Sequence, residues 1–170
     1  MRKLIFILTL ICTINCFGYK ISNAGKNLIK KHETCFLTAY WDVNGYSIGW
    51  GHHGKDVKRD MKISKFVANV YFNKDIKMVE EGANRLIKAL PYQYKFSQGF
   101  FDGLCSLIYN CGEYGVKTSK FYKHLKNCRV KNGKMNTNDY NFTVASVKTI
   151  KISCPGHKAR RYDEHKIMLS

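Results

Sequence analysis

The segment HETCFLTAYWDVNGYSIGWGHH, His32 to His53, constrains the fold of this chain more than any other stretch. The runs FLTAYWD and YSIGW alternate around Asn44-Gly45, the strongest short hairpin signal, because both residue types accept the left-handed backbone of a tight turn. A helix is predicted just upstream: Ser22 or Asn23 caps AGKNLIKKHE, whose Leu28 and Ile29 supply an apolar edge. The chain must therefore pass from helix to hairpin close to Glu33. Glu33 and Asp42 stand nine positions apart across that break. On one continuous helix that spacing is about two and a half turns, so the two would face opposite ways. On a straight strand they would sit on opposite faces and roughly 30 Å apart. Only a reversal of the chain between them lets them converge, and this sequence supplies one. Two carboxyls facing one cleft are the apparatus of glycoside hydrolysis, one a proton donor and the other ionised opposite it.

Downstream, apolar residues recur at helical spacing from Ser64 to Leu90 (Phe66, Val67, Val70, Tyr71, Val79, Leu86, Ile87, Leu90), and Pro91 marks a break. SQGFFDGLCSLIYNCG reads as a helix with Phe100, Leu104, Leu107 and Ile108 inward, stopped by Gly112, and TSKFYKHLKN as a shorter one. The Asn/Lys/Thr-rich span from Cys128 to Lys151 reads as loop with some strand, and HKARRYDEHKIML closes the chain as a basic helix. The fold class is α+β, mainly helical, with one small sheet near the N-terminus. Hydrophobic residues at 45%, with 11 Tyr and 10 Phe, exclude a disordered chain, and 170 residues fit a single domain.

Residues 1–18 read as a cleavable secretory signal: Arg2 and Lys3, an apolar run from Leu4 to Ile14, then Cys16 and Gly18 as small residues at a cleavage site. The run is short of the roughly 20 residues a membrane span needs, and a retained anchor is the alternative. The catalytic domain is then 19–170. Removing Cys12 and Cys16 from the seven cysteines leaves Cys35, Cys105, Cys111, Cys128 and Cys154. In an oxidising compartment this odd set predicts two disulfides and one free thiol, or an intermolecular link. Without CxxC or HExxH, and with scattered histidines, no metal and no cofactor are expected. The net charge of +17 draws the chain to anionic surfaces: nucleic acid, acidic membrane or bacterial wall polymer. Tyr40, Trp41, Tyr46 and Trp50 are expected to form a cross-strand aromatic cluster, with one or two lining a cleft. Asn141-Phe142-Thr143 is a glycosylation sequon, meaningful only in a eukaryotic secretory pathway.

ETCFLTAYWDVNGYSIGWGH resembles the active-site signature of phage-type lysozymes, glycoside hydrolase family 24, which runs Glu-Gly, Ala-Tyr-x-Asp, then Gly-x-Thr-Ile-Gly-Tyr-Gly-His. FNKDIKMVE, FDGLCSLIYNCGEYG, SKFYKHLKN and CPGHKARRYDEHKIM resemble four later segments of that family in the right order, so the likeness runs from about Asn23 to Leu169. It implies a lysozyme-like fold, a small N-terminal hairpin sheet and a helical lobe with the active-site cleft between them. It also implies a secreted bacteriolytic muramidase that cuts the β-1,4 bond between N-acetylmuramic acid and N-acetylglucosamine by an inverting mechanism.

By the same resemblance Glu33 is the general acid, Asp42 the carboxylate behind the attacking water, and Ser47 the hydroxyl that holds that water. Asn110 contacts substrate, while His52 and Asp75 form a structural pair; of the aromatic cluster, Tyr40 and Trp50 are the members expected to line the sugar cleft and bind substrate. Arg160 or Arg161 pairs with the acid, and the motif does not say which. The implied partners are bacterial peptidoglycan and, through the positive charge, anionic wall polymers, with no nucleic acid, no stable membrane span after processing and a monomeric chain. The implied location is extracellular, or periplasmic for a bacterial or phage-encoded protein. The family's biological roles include defence, digestion and phage lysis.

Three departures from the pattern stand out. Thr34 replaces a glycine, which would be strained if that position required positive φ. Ser47 replaces threonine, and His157 replaces leucine in the closing helix. Two other readings are a non-catalytic cationic antimicrobial or wall-binding homologue, and a phage endolysin with a releasable N-terminal anchor in which Cys12 or Cys16 pairs with Cys35.

Overall fold

The computed structural model describes residues 18–42, 44–150 and 155–170. The predicted signal segment, apart from Gly18, and Cys154 lie outside them. The elements are α1 (Asn23–His32), β1 (Phe36–Asp42), β2 (Gly45–Gly49), β3 (His52–His53), α2 (Lys65–Lys88), α3 (Gln98–Lys117), α4 (Lys120–Lys126), β4 (Val130–Lys131), β5 (Lys134–Met135), α5 (Thr137–Ala145), a 3-10 helix (Ser146–Thr149) and α6 (Pro155–Met168). The protein is mainly helical, with an antiparallel sheet β1-β2-β3 near its N-terminus, as the sequence predicts.

Helix starts are written locally. Ser22, Ser64, Ser97, Ser119 and Asn136 each accept a first-turn N–H of α1, α2, α3, α4 and α5. Each such cap is worth about 1 kcal/mol. The Ser22 N–H also donates to the buried Asp102 carboxylate of α3 at 2.8 Å, so the start of α1, and with it the position of Glu33 at its end, is tied to the core.

The central α3 is buried from Gly99 to Ile108, and α1, α2 and α6 pack around it. A Cβ on Gly99 would lie 2.1 Å from the Ile167 carbonyl, and one on Gly103 2.5 Å from Met168 Cγ. The two glycines, one turn apart, let α6 lie directly on α3, and this close approach sets the last helix against the site.

Several expectations change. Asp42 and Gly45 are already cross-strand partners, so Gly45 belongs to β2 and not to the turn itself. A second Asn-Gly, Asn132-Gly133, makes the other hairpin with φ of 51° and 70°. Gly112 leaves helical geometry (φ 71°, ψ 159°) and breaks α3 at the predicted stop, but a further helical stretch runs on from there to Lys117. The span after Cys128, expected to be loop and strand, holds α5. The two-disulfide framework is not present among the described residues: Cys35, Cys105 and Cys128 are free thiols. Cys105 is enclosed in the α3 core, and Cys128 sits by Thr143 at the base of α5, so neither faces another described cysteine.

Candidate active site

Glu33 caps the C-terminus of α1 in extended backbone (φ −111°, ψ 122°), its N–H closing the last turn on the Ile29 carbonyl. The helix thus ends where the chain turns into β1, and the side chain leaves the helix axis toward α6. Arg160 Nη1 donates to Glu33 Oε1 at 2.5 Å, with the guanidinium buried and the carboxylate partly open. Glu33 Oε2 faces Gly51, where even an added Cβ would stay 3.5 Å away, so one oxygen is clamped and the other is left to the cleft. Thr34 is unstrained, since the only non-glycine residues with positive φ among the described residues are Asp60 and Asn132.

Arg160 is thus the arginine that meets the acid. Its Nε donates to Glu164 Oε1 at 3.1 Å and its Nη2 to the Ser106 carbonyl at 3.1 Å. The Ser106 hydroxyl adds a 2.7 Å bond to the same Glu164 oxygen. Arg161 turns the other way, donating to Glu164 Oε2, to Asn110 Oδ1 and, at 3.0 Å, to the Ile150 carbonyl. Charge alternates along the row Glu33, Arg160, Glu164, Arg161, and every buried side-chain polar atom among the described residues has a partner. Such a network is stable only as a whole, because removing one member leaves an uncompensated buried charge. Asn110, expected at the substrate, is held by Arg161 on its carbonyl oxygen.

Period-two alternation sorts the opposite wall. Tyr40, Ser47 and His53 form one lateral row across β1, β2 and β3, and Asp42 pairs with Gly45 in the next row on the same face. Ile48 and His52 point to the other face. There His52 Nδ1 meets Asp75 of α2 at 2.9 Å, and its ring stacks on Tyr71 at 4.3 Å. Burial raises Asp75 above the ordinary carboxylate value, and its bond to His52 opposes that shift.

Both carboxylates act on Tyr40. Its phenol is raised first by burial, then by the charges of Asp42 and Glu33, against a hydrogen bond from Ser47. Tyr109 is raised by burial and by Asp75 and Glu33, and its hydroxyl donates to the Trp50 carbonyl at 2.7 Å. Asp42 itself is exposed, whereas Ser47 is only 1% exposed.

The Trp50 ring does not stand free as expected for a sugar-stacking residue. Its Nε1 donates to Asn69, its edge meets Phe72, and the ammoniums of Lys65 and Lys30 lie 4.0 and 5.1 Å from its centroid. Trp41 and Tyr46 pair edge-to-face at 5.2 Å, one row along on the sheet face that also carries Ile48. His157 is half-buried on α6. Among the described residues no group of three His, Cys, Asp or Glu side chains could hold a metal, and no helix is long and apolar enough to cross a membrane.

Sequence reading missed two members of this site. Glu164 follows the two arginines at helical spacing, i+3 and i+4, a signal for paired charges on one helix. His53 alternates with His52, so period two sends the pair to opposite faces of the sheet and sets His53 beside Ser47.

The Phage lysozyme family model matches residues 30–164. The endolysin of Bacillus phage PZA is 34% identical over 113 residues, which are 65% of this chain and 42% of that protein. The endolysin of Salmonella phage P22 is 31% identical over 111 residues, 62% of this chain and 73% of that one. The chain thus spans about two fifths of the length of the Bacillus phage relative and nearly three quarters of the Salmonella phage one. Among solved structures, an endolysin from Escherichia coli O157:H7 phage FAHEc1 superposes with a TM-score of 0.69 at 27% identity, covering 89% of this chain and 94% of that one. The muramidase domain of SpmX from Asticaccaulis excentricus shares the fold, with a TM-score of 0.73 at 20% identity over 89% of this chain and 99% of that one.

Proposed function

Because the chain belongs to the phage lysozyme family, whose model spans residues 30–164, we propose that it is a bacteriolytic muramidase hydrolysing the β-1,4 bond after N-acetylmuramic acid in peptidoglycan. The observation that carries this reading is the state of Glu33: one carboxyl oxygen clamped by Arg160, the other facing Gly51, with Asp42 on the sheet face of Tyr40, whose phenol feels both carboxylates. A general acid needs this arrangement, because the clamp fixes the carboxyl while the second oxygen is free to carry a proton to the leaving glycosidic oxygen. Part of the guanidinium's charge is already met by Glu164, so Arg160 orients Glu33 without belonging to it alone.

Asp42 stays exposed at the strand end, where it accepts a proton from water attacking the anomeric carbon and faces the oxocarbenium-like transition state. The bond to the leaving oxygen breaks as the water–carbon bond forms on the other side, which inverts the anomer. The net charge of +17 supports an encounter with a wall rich in carboxylates and phosphates, and export to that wall completes the reading.

Digestion of purified peptidoglycan followed by borohydride reduction tests it. New reducing ends recovered as muramitol, with α-anomer formed first, are the expected result. Glucosaminitol ends, or bacterial killing with no new reducing ends, would contradict it in favour of another glycosidase or a non-catalytic antimicrobial.

A further inference from the structure

Two positions about one turn apart on α3, Ser106 and Tyr109, reach the two sides of the Glu33 carboxyl. Ser106 does so through Arg160: its carbonyl accepts from Arg160 Nη2 at 3.1 Å, and Arg160 Nη1 donates to Glu33 Oε1. Tyr109 does so through the turn that joins β2 to β3. Its hydroxyl donates to the Trp50 carbonyl at 2.7 Å, and the next residue, Gly51, is the one that faces Glu33 Oε2.

The local backbone shows why this turn needs an outside anchor. Ile48 and His52 are cross-strand partners, so residues 49–51 make the turn and Trp50 stands at its tip. Gly49 and Gly51 flank it with φ of 66° and 91°, a region that glycine enters without steric cost. Trp50 lies outside both strands, and its carbonyl takes its hydrogen bond from Tyr109. A turn hinged on two glycines has wide backbone freedom, and one bond from the central helix removes it. The donor is itself fixed, because the Tyr109 ring packs on Phe72 with centroids 5.9 Å apart. Burial, then the charges of Asp75 and Glu33, raise the phenol far above its ordinary value, so it keeps its proton and stays a donor at neutral pH.

We infer that Tyr109 is a positioning residue for the general acid: its hydroxyl fixes the Trp50–Gly51 peptide against Glu33 Oε2, as Ser106 fixes Arg160 against Oε1. One face of α3 thus sets both oxygens of the carboxyl. Without the hydroxyl the turn is released from α3, and the oxygen that carries the proton loses its wall. The acid then spends less time aimed at the glycosidic oxygen, so the cost falls on kcat and not on binding of the glycan. This deepens the reading of Glu33 as the general acid and rests on it.

The test is Tyr109→Phe, which removes one oxygen and keeps the ring on Phe72. The matched control is Tyr122→Phe, which removes an equivalent phenol–carbonyl bond, 2.8 Å to Leu86, in the core away from the site. Both are assayed by reducing-end release from purified peptidoglycan at equal folded concentration, alone and combined with Glu33→Gln. Thermal melts certify folding, and prolonged digestion reads the residual rates. Tyr109→Phe is expected to lower kcat about tenfold with KM within about twofold of wild type, the scale of one hydrogen bond aimed at the reacting group. Tyr122→Phe, which touches stability alone, should leave kcat and KM as they are. In the Glu33→Gln background no acid remains to be aimed, so Tyr109→Phe should cost nothing further.

A folded Tyr109→Phe with wild-type kcat, or a loss of kcat matched by Tyr122→Phe, would overturn the inference. So would the same fold-loss in the Glu33→Gln background, because the phenol would then act on something other than the acid. If Glu33→Gln itself works at the wild-type rate, the underlying reading of the acid has failed. If Glu33→Gln is crippled while Tyr109→Phe behaves as wild type, only the inference has.

Discussion

Glu33 is clamped by a partner 127 positions away, whereas Asp42 stands at the end of a strand whose cross-strand partners, in β2 and around Lys62, all lie within the same short stretch of sequence. The first wall is a buried row of alternating charge, closed by α6 lying on the glycines of α3. The second wall is three short strands whose Asp42-bearing face is partly open to water. The contrast teaches where stability and chemistry are coupled. On the helical wall the groups that aim the acid are also core groups, so a change there disturbs both. On the hairpin wall the groups proposed for the water side carry little of the fold, so changes there should act on rate alone.

The sharpest way to break that contrast is Glu164→Ala. It strands Arg160 and Arg161 without their shared buried partner and should cost about 3–5 kcal/mol, lowering Tm by about 10 °C or more in a circular-dichroism melt. A loss under about 1 kcal/mol would mean the network is not a unit. Next comes Asp42→Asn, expected to lower reducing-end release by about a hundredfold while Tm stays within about 1 °C, because the side chain is exposed. A clear fall in Tm would show that the hairpin wall is structural after all.

The smallest effect is at the clamp between α1 and α6, where Lys31 and His32 bond Asp163 at 2.7 and 2.9 Å. Burial alone would raise this carboxyl, but the bonds from Lys31 and His32 outweigh it and hold it below the ordinary value. A depressed folded value means stabilisation that is present above the unfolded aspartate's value of about 3.9 and is lost as pH falls through the folded one. Asp163→Asn should therefore cost under about 1 kcal/mol at neutral pH, given how exposed Lys31 is, and nothing once Asp163 is protonated. A penalty that persists unchanged in strong acid would place its origin outside the ion pair.

The same division explains what the sequence could reveal. Serine caps, the helix-to-hairpin switch at Glu33 and the helical stripes are short-range, and each was readable from residues within a turn or two of one another. The choice of Arg160 over Arg161 was not, because it depends on how α6 rotates when Gly99 and Gly103 admit it to α3. Helix α5 escaped notice because Asn136 caps a segment with Thr143 and Val144 as its only buried residues, too few to write an apolar stripe. The disulfide expectation rested on an odd count of cysteines. That count carries no information on distance, and Cys105 turned out to fill the core. Asn110 is expected at the substrate by resemblance, and Trp50 as a cleft-lining member of the hairpin's aromatic cluster. Their hydrogen bonds to Arg161 and Asn69 show how much of each is spent on protein contacts.

The central claim is that Glu33, held by Arg160, delivers the proton that breaks the glycosidic bond. Its most direct test is reducing-end release from purified peptidoglycan by wild type and Glu33→Gln at equal folded concentration. The account predicts a loss of about a thousandfold or more with Tm shifted by no more than a few degrees. A folded Glu33→Gln protein that releases reducing ends at the wild-type rate would contradict it.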